Sequence, residues 1–285
     1  MDKRILLATD ASEFSSGAER EALKLAKTCG GKLFCVLVME FKPEFLALAP
    51  QLLEESEKDA IKHLENLKKA AQKDNVYCEI ILREGREPYK VIIEEADKKE
   101  ADLIVMGRHG RTGLMRLLMG SVTAKVVGHF KGHALVVPRN AAVNWKNILV
   151  ATDGSEYGNA AVNEGLMYAK KYGGALKIVH VINVMADFQE ERPILIPQII
   201  EGITKSVKRE LDALKVRAEK EGVSAETFIR EDEPYRAIVD LAEELKSGVI
   251  ILGSHGKTGM QRLLMGSVTE RVIGHANCAA LVVKI

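Results

Sequence analysis

The sequence lacks the features that mark several specialised classes of protein. Its formal net charge is only +1, with 41 Lys and Arg against 40 Asp and Glu. Proteins whose main partner is a nucleic acid usually carry a basic excess, so we expect no such partner. No apolar run approaches the roughly 18 residues that a membrane helix needs, so we expect no membrane insertion.

Cysteine is also scarce and irregularly spaced. The 4 cysteines, Cys29, Cys35, Cys78 and Cys278, form no Cys-x-x-Cys pair. Disulfide frameworks and structural zinc sites usually show short, regular spacings. The chain opens on an apolar stretch that is too short for a signal peptide. We therefore predict reduced thiols in a cytoplasmic protein.

What the sequence does contain is a long internal repeat. Residues 4–10 return in similar form at 147–153, and residues 107–137 return at 253–283 with most positions identical. A period of this length corresponds to a whole domain, and the 285 residues suffice for about two domains of ordinary size. We predict a duplicated domain, with the halves at 1–140 and 141–285.

Each half alternates short apolar segments with amphipathic ones. In the first half the apolar segments lie at 4–9, 32–38, 78–82, 102–106 and 134–137. Continuous apolar strands that alternate with helices indicate a parallel sheet covered on both faces. The predicted fold class is therefore α/β, with two tandem doubly wound domains that each contain a five-stranded parallel sheet.

A glycine-rich segment follows the fourth predicted strand of each half, at the edge where sheets of this kind bind ligands. In the first half it contains Gly107 and Gly110, followed after nine further residues by Gly120 and Ser121. The second half repeats the spacing with Gly253, Gly256, Gly266 and Ser267. Glycines bring backbone N–H groups close to an anion, and the helix that Gly-Ser opens adds free N–H donors. The pattern predicts a polyphosphate site in each half.

Several side chains near this segment have two candidate roles. The hydroxyls of Ser121 and Thr123 either cap the helix or bind phosphate oxygens. Asp10 and Asp153, which end the first strand of each half, either accept a ribose hydroxyl or cap the next helix. The residues alone leave these alternatives open.

The loop also contains candidates for direct ligand contact. His109 and His255 are placed to contact phosphate or sugar, and the basic residues Arg111 and Lys257 add favourable charge. Gly-Lys-Thr at 256–258 is similar to the end of a Walker A loop, but that motif requires glycine where Ile251 stands. The dinucleotide-binding glycine fingerprint is also absent after the first predicted strand.

These motifs resemble those of the universal stress protein (UspA) family. The glycine spacing is the mark of the ATP-binding branch of that family, and Ala-Thr-Asp at 8–10 and 151–153 supports the resemblance. The resemblance covers nearly the whole chain, which looks like a tandem member. It implies an adenine nucleotide alpha hydrolase-like fold, with the strand order 3-2-1-4-5 in each half.

The resemblance also implies an ATP site in each half. The family positions near adenine and ribose correspond to Ala8, Thr9, Asp10, Val38, Ala151, Thr152, Asp153 and Val181. The family positions of the phosphate loop correspond to Gly107, His109, Gly110, Gly120, Ser121, Val122, Thr123, Gly253, His255, Gly256, Gly266, Ser267, Val268 and Thr269. No carboxylate or histidine cluster has the spacing of a dedicated metal site, so any Mg²⁺ would be held through the phosphates.

The implied function is that of a regulatory ATP-binding module in the stress response, with ATP in one or both halves and an unidentified protein partner. The alternatives are a slow ATPase or phosphotransferase and a nucleotide-free structural stress protein. Fast phosphoryl transfer needs a positioned base, and no such constellation is evident, so no catalytic residue is assigned. We expect the halves to pair through their short last strands as a pseudo-dimer within the chain, with a homodimer of chains as a further hypothesis.

The two halves also differ. Gly85 precedes Pro88 in the first half and has no counterpart before Pro234, which puts equal affinity of the two sites in doubt. The apolar loops at 41–53 and 188–200 are expected to cover the nucleotide, contact a partner or pack on their own domain. His63 lies in a strongly charged helical segment and is expected to be solvated.

Overall fold

The computed structural model describes residues 3–40, 50–110, 119–183, 196–257 and 265–285. The chain divides into two compact units, Met1–Ala142 and Val143–Ile285. Arg111 and most of the two apolar loops lie outside the described residues, so the roles expected of them stay predictions.

The first unit alternates strands with helices. Its strands are β1 (Arg4–Thr9), β2 (Lys32–Glu40), β3 (Cys78–Gly85), β4 (Leu103–Gly107) and β5 (His133–Val137). Its α-helices are α1 (Ser16–Cys29), α2 (Pro50–Lys73), α3 (Pro88–Lys98) and α4 (Ser121–His129). A single 3-10 turn at Glu13–Ser15 leads into α1.

The strands of this unit form a parallel sheet in the order β3-β2-β1-β4-β5, which confirms the predicted order 3-2-1-4-5 for the first half. The order changes direction at β1, which pairs with β2 on one side and with β4 on the other. In doubly wound sheets, the crevice outside the carboxyl ends of these central strands is the ligand site.

The second unit repeats this architecture. Its strands are β6 (Asn147–Ala151), β7 (Ala175–Ile182), β8 (Ala225–Glu231), β9 (Val249–Gly253) and β10 (Ala279–Val283). Its helices are α5 (Glu156–Tyr172), α6 (Ile196–Lys220), α7 (Pro234–Glu244) and α8 (Ser267–His275). The parallel strands run in the order β8-β7-β6-β9-β10, which is the same order when it is counted within this unit.

The core of each unit is built on its central strands. Every residue of β4 and β9 is buried, as are all residues of β1 after Arg4. Burying one Leu, Ile or Val side chain contributes roughly 1.5–3 kcal/mol, so these strands anchor the sheet edge that carries the glycine-rich loops. Within the described parts of the chain, no helix combines the length and apolar character that crossing a membrane requires.

Strands β2 and β3 are longer than predicted. Their apolar pattern ends at Val38 and Leu82, but the two strands stay paired as far as Glu40 and Gly85. The pairing of β2 with β1 ends earlier, at Leu37. The last residues of β2 therefore project beyond β1, and in the described structure no strand lies beside them on the β1 side.

Candidate functional site

The turn after β1 is organised by the carboxylate of Asp10. Its Oδ1 accepts hydrogen bonds from the N–H of Ser12 (3.0 Å), from the hydroxyl of Ser12 (2.7 Å) and from the hydroxyl of Ser15. Its Oδ2 lies 3.0 Å from the position that a Cβ on Gly110 would take. Asp10 therefore stabilises the turn with one oxygen and faces the glycine-rich loop with the other.

Asp153 has the matching place in the second half. Its Oδ1 accepts from the N–H of Ser155 (3.0 Å) and its Oδ2 from the N–H of Lys257 (2.7 Å). Burial alone would raise the pKa of this carboxyl, but the hydrogen bonds from Ser155 and Lys257 outweigh burial and lower it. Helix α5 is capped by Ser155, whose Oγ accepts from the N–H of Gly158 at 3.0 Å. The residue that caps α5 is therefore Ser155 and not Asp153.

The glycines of the first loop meet different physical requirements. A Cβ on Gly107 would lie 2.9 Å from the carbonyl oxygen of Phe14, so this glycine allows the turn before α1 to pack against β4. A Cβ on Gly120 would meet nothing closer than 3.4 Å and would lie 3.6 Å from the nitrogen of Gly110. A side chain at Gly120 would thus fit the fold but stand beside the N–H of Gly110.

The N-terminus of α4 opens toward this loop. The N–H of Gly120 donates to the carbonyl of Arg108 (2.9 Å), and the first bond within the helix runs from the N–H of Ala124 to the carbonyl of Gly120. The N–H groups of residues 121–123 therefore have no acceptor within the helix. Together with the helix dipole, these donors make this end of α4 favourable for an anion.

The hydroxyl of Thr123 has a structural partner. It donates to the carbonyl of Gly107 at 3.0 Å, and the residue is buried. Thr269 repeats this contact with the carbonyl of Gly253 at 2.8 Å. The threonine hydroxyl proton thus ties the helix to the preceding strand, a role that differs from the capping and phosphate contacts considered from the sequence. Ser121, by contrast, is exposed in the first turn of α4.

A cavity of about 280 Å³ lies where the turn after β1, the projecting end of β2 and the glycine-rich loop meet. Its lining includes every position of the first half that the family resemblance assigned to a nucleotide: Ala8, Thr9, Asp10, Val38, Gly107, His109, Gly110, Gly120, Ser121, Val122 and Thr123. Val38 and Ile92 line it on the side of β2, and Gly110 and Gly120 line it on the side of β4. The cavity therefore joins an apolar wall to a region rich in backbone N–H groups.

The predicted residues of the second half take matching positions. The N–H of Gly266 donates to the carbonyl of Ser254 at 2.8 Å, as Gly120 does to Arg108. A Cβ on Gly256 would lie 2.7 Å from Oδ2 of Asp153. The other predicted positions lie at the carboxyl ends of strands or at the start of α8: Ala151, Thr152, Val181, Gly253, Ser267, Val268 and Thr269.

Both loop histidines lie in the glycine-rich segment of their half. His109 is half-buried and lines the cavity of the first half. His255 is also half-buried, with its Nδ1 3.1 Å from the Oγ of Ser254 and its ring centroid 5.2 Å from that of Tyr157. Arg108 takes the place of Ser254 in the first half, so only the second copy of the loop has a hydroxyl at this position.

A chain of polar side chains lies behind the β1 turn of the first half. The hydroxyl of Thr9 donates to Oε1 of Glu19, and Nε2 of His63 lies 2.7 Å from the same oxygen. The side chain of His63 is 28% exposed, so it is partly solvated, as expected, while Glu19 binds one of its ring nitrogens. Val162 stands where Glu19 does in the other half. Sequence reasoning missed this contact because β1, α1 and α2 each supply one member.

A second depression lies beside α2. It is an open, polar groove of about 590 Å³ whose walls include Ala11, Ser56, Asp59, His63 and Asn66. It is larger than the cavity at the glycine-rich loop, but it contains none of the motif residues. We therefore place the candidate functional site at the smaller cavity.

Several residues of the cavity wall were not predicted, namely Ser15, Glu40, Pro88, Ile92 and Met106. Glu40 lies in the part of β2 beyond its predicted end. Ser15 corresponds to Gly158 in the second half, so comparison of the two copies does not indicate a shared functional residue at this position. Pro88 could have indicated part of this wall from the sequence, because it marks the start of α3, which lies beside the strand ends.

Comparison with known families supplies the deciding observation. The model of the universal stress protein family matches residues 1–138 and again residues 144–284. The chain belongs to the universal stress protein family. It carries two universal stress protein domains in tandem.

Individual relatives agree with this assignment. Universal stress protein MJ0531 of Methanocaldococcus jannaschii is 34% identical over 146 residues, which are 51% of this chain and 86% of the relative. Universal stress protein E of Salmonella typhi is 25% identical over 309 residues and covers 100% of this chain and 95% of its own length. The similarity to universal stress protein E extends over both domains.

A solved structure shows the same fold. The crystal structure of a universal stress protein from Archaeoglobus fulgidus superposes with a TM-score of 0.76 at 22% identity, covering 99% of this chain and 98% of that one. At this identity the likeness concerns the fold. Among the described residues of the present chain, no group of three or more His, Cys, Asp or Glu side chains is arranged to hold a metal ion.

Proposed function

We propose that this universal stress protein binds ATP in the cavity of its first half, that its second half offers a matching site, and that nucleotide occupancy is the regulatory signal. The observation that carries the proposal is the cavity of about 280 Å³, which combines an apolar wall with the open N-terminus of α4. A flat aromatic base fits the first feature, and a polyphosphate chain fits the second.

The parts of ATP can be assigned to parts of the cavity. The adenine would pack against Val38 and Ile92, with the unpaired edge of β2 offering backbone groups to the base. The ribose would lie near Asp10. The phosphates would lie against Gly110 and Gly120, within reach of the N–H groups at the start of α4. The cavity of about 280 Å³ is slightly smaller than the usual range of roughly 300–1,000 Å³, which suits a ligand whose triphosphate extends outward from the adenine.

We propose that any Mg²⁺ binds through the phosphates of the nucleotide. Among the described residues of the cavity wall, the titratable side chains are Asp10, Glu40 and His109. Asp10 is engaged by the turn after β1, so it is not poised as a general base. We propose a binding module with at most slow hydrolysis. A cytoplasmic location, a protein partner that reads the nucleotide state, pairing of the two halves and a homodimer complete the proposal.

The test is calorimetric titration of the full chain with ATP and Mg²⁺, comparing the wild type with Gly120→Val, Gly266→Val and the double variant. A Cβ at either glycine meets nothing closer than 3.4 Å, so the variants are expected to fold. The added methyl groups would block approach to the loop N–H groups. Hydrogen bonds to charged groups are worth about 1.5–3 kcal/mol each, so losing one or two weakens binding at the altered site by about a hundredfold.

The matched control is Gly202→Val, because a Cβ at this exposed position on α6 meets nothing within 4 Å. This variant is expected to bind ATP like the wild type. Unchanged affinity in the double variant would contradict the proposal. Failure of the wild type to bind any adenine nucleotide would favour a structural stress protein. Turnover near the typical enzyme value of about 10 s⁻¹ would favour an ATPase.

A further inference from the structure

Two of the cysteines, 43 residues apart in the sequence, meet in the first half. Cys35 lies on β2 and Cys78 begins β3, and their Sγ atoms are 3.7 Å apart. Cys35 is fully buried, whereas Cys78 is partly exposed. No motif in the sequence predicts this pair, because the two cysteines come together only when β2 pairs with β3.

The two thiols are chemically unequal. The hydrogen bond with Cys35 lowers the pKa of Cys78, burial opposes this effect, and the nearby ammonium of Lys68 lowers the pKa further. The same hydrogen bond, together with burial, raises the pKa of Cys35. A partly exposed sulfur with a lowered pKa, next to a buried thiol with a raised pKa, matches the pairing of a reactive cysteine with a resolving cysteine.

We propose that Cys35 and Cys78 form a reversible redox site, at which a hydroperoxide oxidises the two thiols to an intramolecular disulfide. The Cys78 thiolate attacks one oxygen of hydrogen peroxide, the O–O bond breaks, and the departing hydroxide takes a proton from solvent. Cys78 is then a sulfenic acid. The sulfur of Cys35 attacks the sulfur of Cys78, the S–O bond breaks, and the hydroxyl leaves as water with the proton of Cys35. In total, the two thiols lose two electrons and one peroxide becomes two water molecules.

The bridge requires a local shift of the backbone, because the two cysteines are diagonal neighbours on the paired strands. Cys78 is in register with Leu33, so Cys35 lies two residues further along β2 on the same face. The sulfurs must close from 3.7 Å to about 2.0 Å. Because β3 is the outer strand and Cys78 is its first residue, this end of the strand can shift toward Cys35 while disturbing pairing on one side only.

Cys278 and the second half of the chain lack the features of this cysteine pair. Burial raises the pKa of Cys278 to about 11, so that thiol stays protonated near neutral pH. In the second half, Ile178 and Ala225 occupy the register positions that correspond to Cys35 and Cys78. The redox site is therefore a property of the first half, and it does not depend on the nucleotide binding proposed above.

The test is exposure of the folded, reduced full chain to a small molar excess of hydrogen peroxide. The reaction is stopped with acid, free thiols are alkylated in denaturant, and peptides are mapped without reductant. We expect a cross-linked peptide pair containing Cys35 and Cys78, an intact mass lower by two hydrogen atoms, and recovery of both thiols after reduction. Equal alkylation of all cysteines before and after peroxide would overturn the proposal, as would oxidation of Cys78 to acids without a cross-link.

Variants separate the roles of the two sulfurs. The Cys29→Ser/Cys278→Ser protein keeps the reactive pair and is expected to form the cross-link like the wild type. Cys35→Ala leaves Cys78 without a resolving thiol, so a sulfenic acid at Cys78 should become trappable by a dione reagent. Cys78→Ser should leave Cys35 reduced, because that thiol is buried. Oxidation of Cys35 at the wild-type rate in Cys78→Ser would contradict the assignment of Cys78 as the attacking sulfur.

Discussion

At the scale of single residues, the glycine-rich motif divides into positions that hold the fold and positions that face the cavity. Gly107 and Thr123 belong to the first group, since one packs against a carbonyl of Phe14 and the other donates to a strand carbonyl. Gly120 belongs to the second, because the space beside it is open enough for a Cβ. The motif spacing predicts the whole set, but it does not distinguish between these roles.

Thr123→Val tests the structural role of the hydroxyl. The substitution keeps the shape of the side chain but leaves the carbonyl of Gly107 buried without its donor, which costs about 1–3 kcal/mol. Urea unfolding of the nucleotide-free protein should show this loss, whereas Thr123→Ser, which retains the hydroxyl, should lie close to the wild type. If Thr123→Val kept full stability and lost ATP binding, the hydroxyl would be a phosphate ligand instead.

At the scale of structural elements, the turn after the first strand differs between the halves in backbone strain. Ala11 adopts a φ of 60° there, and Gly154 adopts a φ of 78° at the corresponding position. An L side chain in this left-handed region costs roughly 1–2 kcal/mol, and glycine avoids that cost. The turn has a left-handed residue in both halves, although only the second half has glycine there.

Gly154→Ala is therefore expected to destabilise the second unit by about 1–2 kcal/mol. The new Cβ would also lie 3.2 Å from Oε2 of Glu210, which is a tight contact. Ala11→Gly is the reverse substitution at the corresponding position, so relief of the same strain is expected to stabilise the first unit. Chemical unfolding measures both changes, and equal stability of Gly154→Ala and the wild type would refute the strain argument.

Strands β2 and β3 extend beyond the residues that their apolar pattern predicts. The residues after Val38 and Leu82 are mostly polar, so no apolar pattern marks them as strand. They are nevertheless extended, because each strand supplies the other with backbone partners as far as Glu40 and Gly85. This extension matters for function, since it produces the unpaired edge of β2 and places Glu40 in the cavity wall.

At the scale of the whole molecule, the duplication made the sequence unusually informative. A motif present in two copies at matching positions identified the strand-end loops, the start of α4 and the aspartates that follow β1 and β6. Contacts present in one copy stayed hidden, such as those between Glu19 and His63 and between the paired cysteines. These contacts depend on which helices and strands pack together, so no local spacing encodes them.

The two halves have therefore diverged beside a common loop. The first half has Glu19 behind its β1 turn and a pair of thiols on β2 and β3, whereas the second has Val162, Ile178 and Ala225 at these places. Similar loops with different surroundings favour two sites of unequal affinity. Titration of the single-glycine variants reports on each site separately.

The most direct measurement is a crystal structure of the full chain with a non-hydrolysable ATP analogue and Mg²⁺ at concentrations that saturate binding in solution. We expect the base against Val38 and the phosphate oxygens within hydrogen-bond distance of the N–H groups of residues 121–123. An analogue bound elsewhere, or with its phosphates directed away from the start of α4, would contradict the central claim that this helix end holds the phosphates.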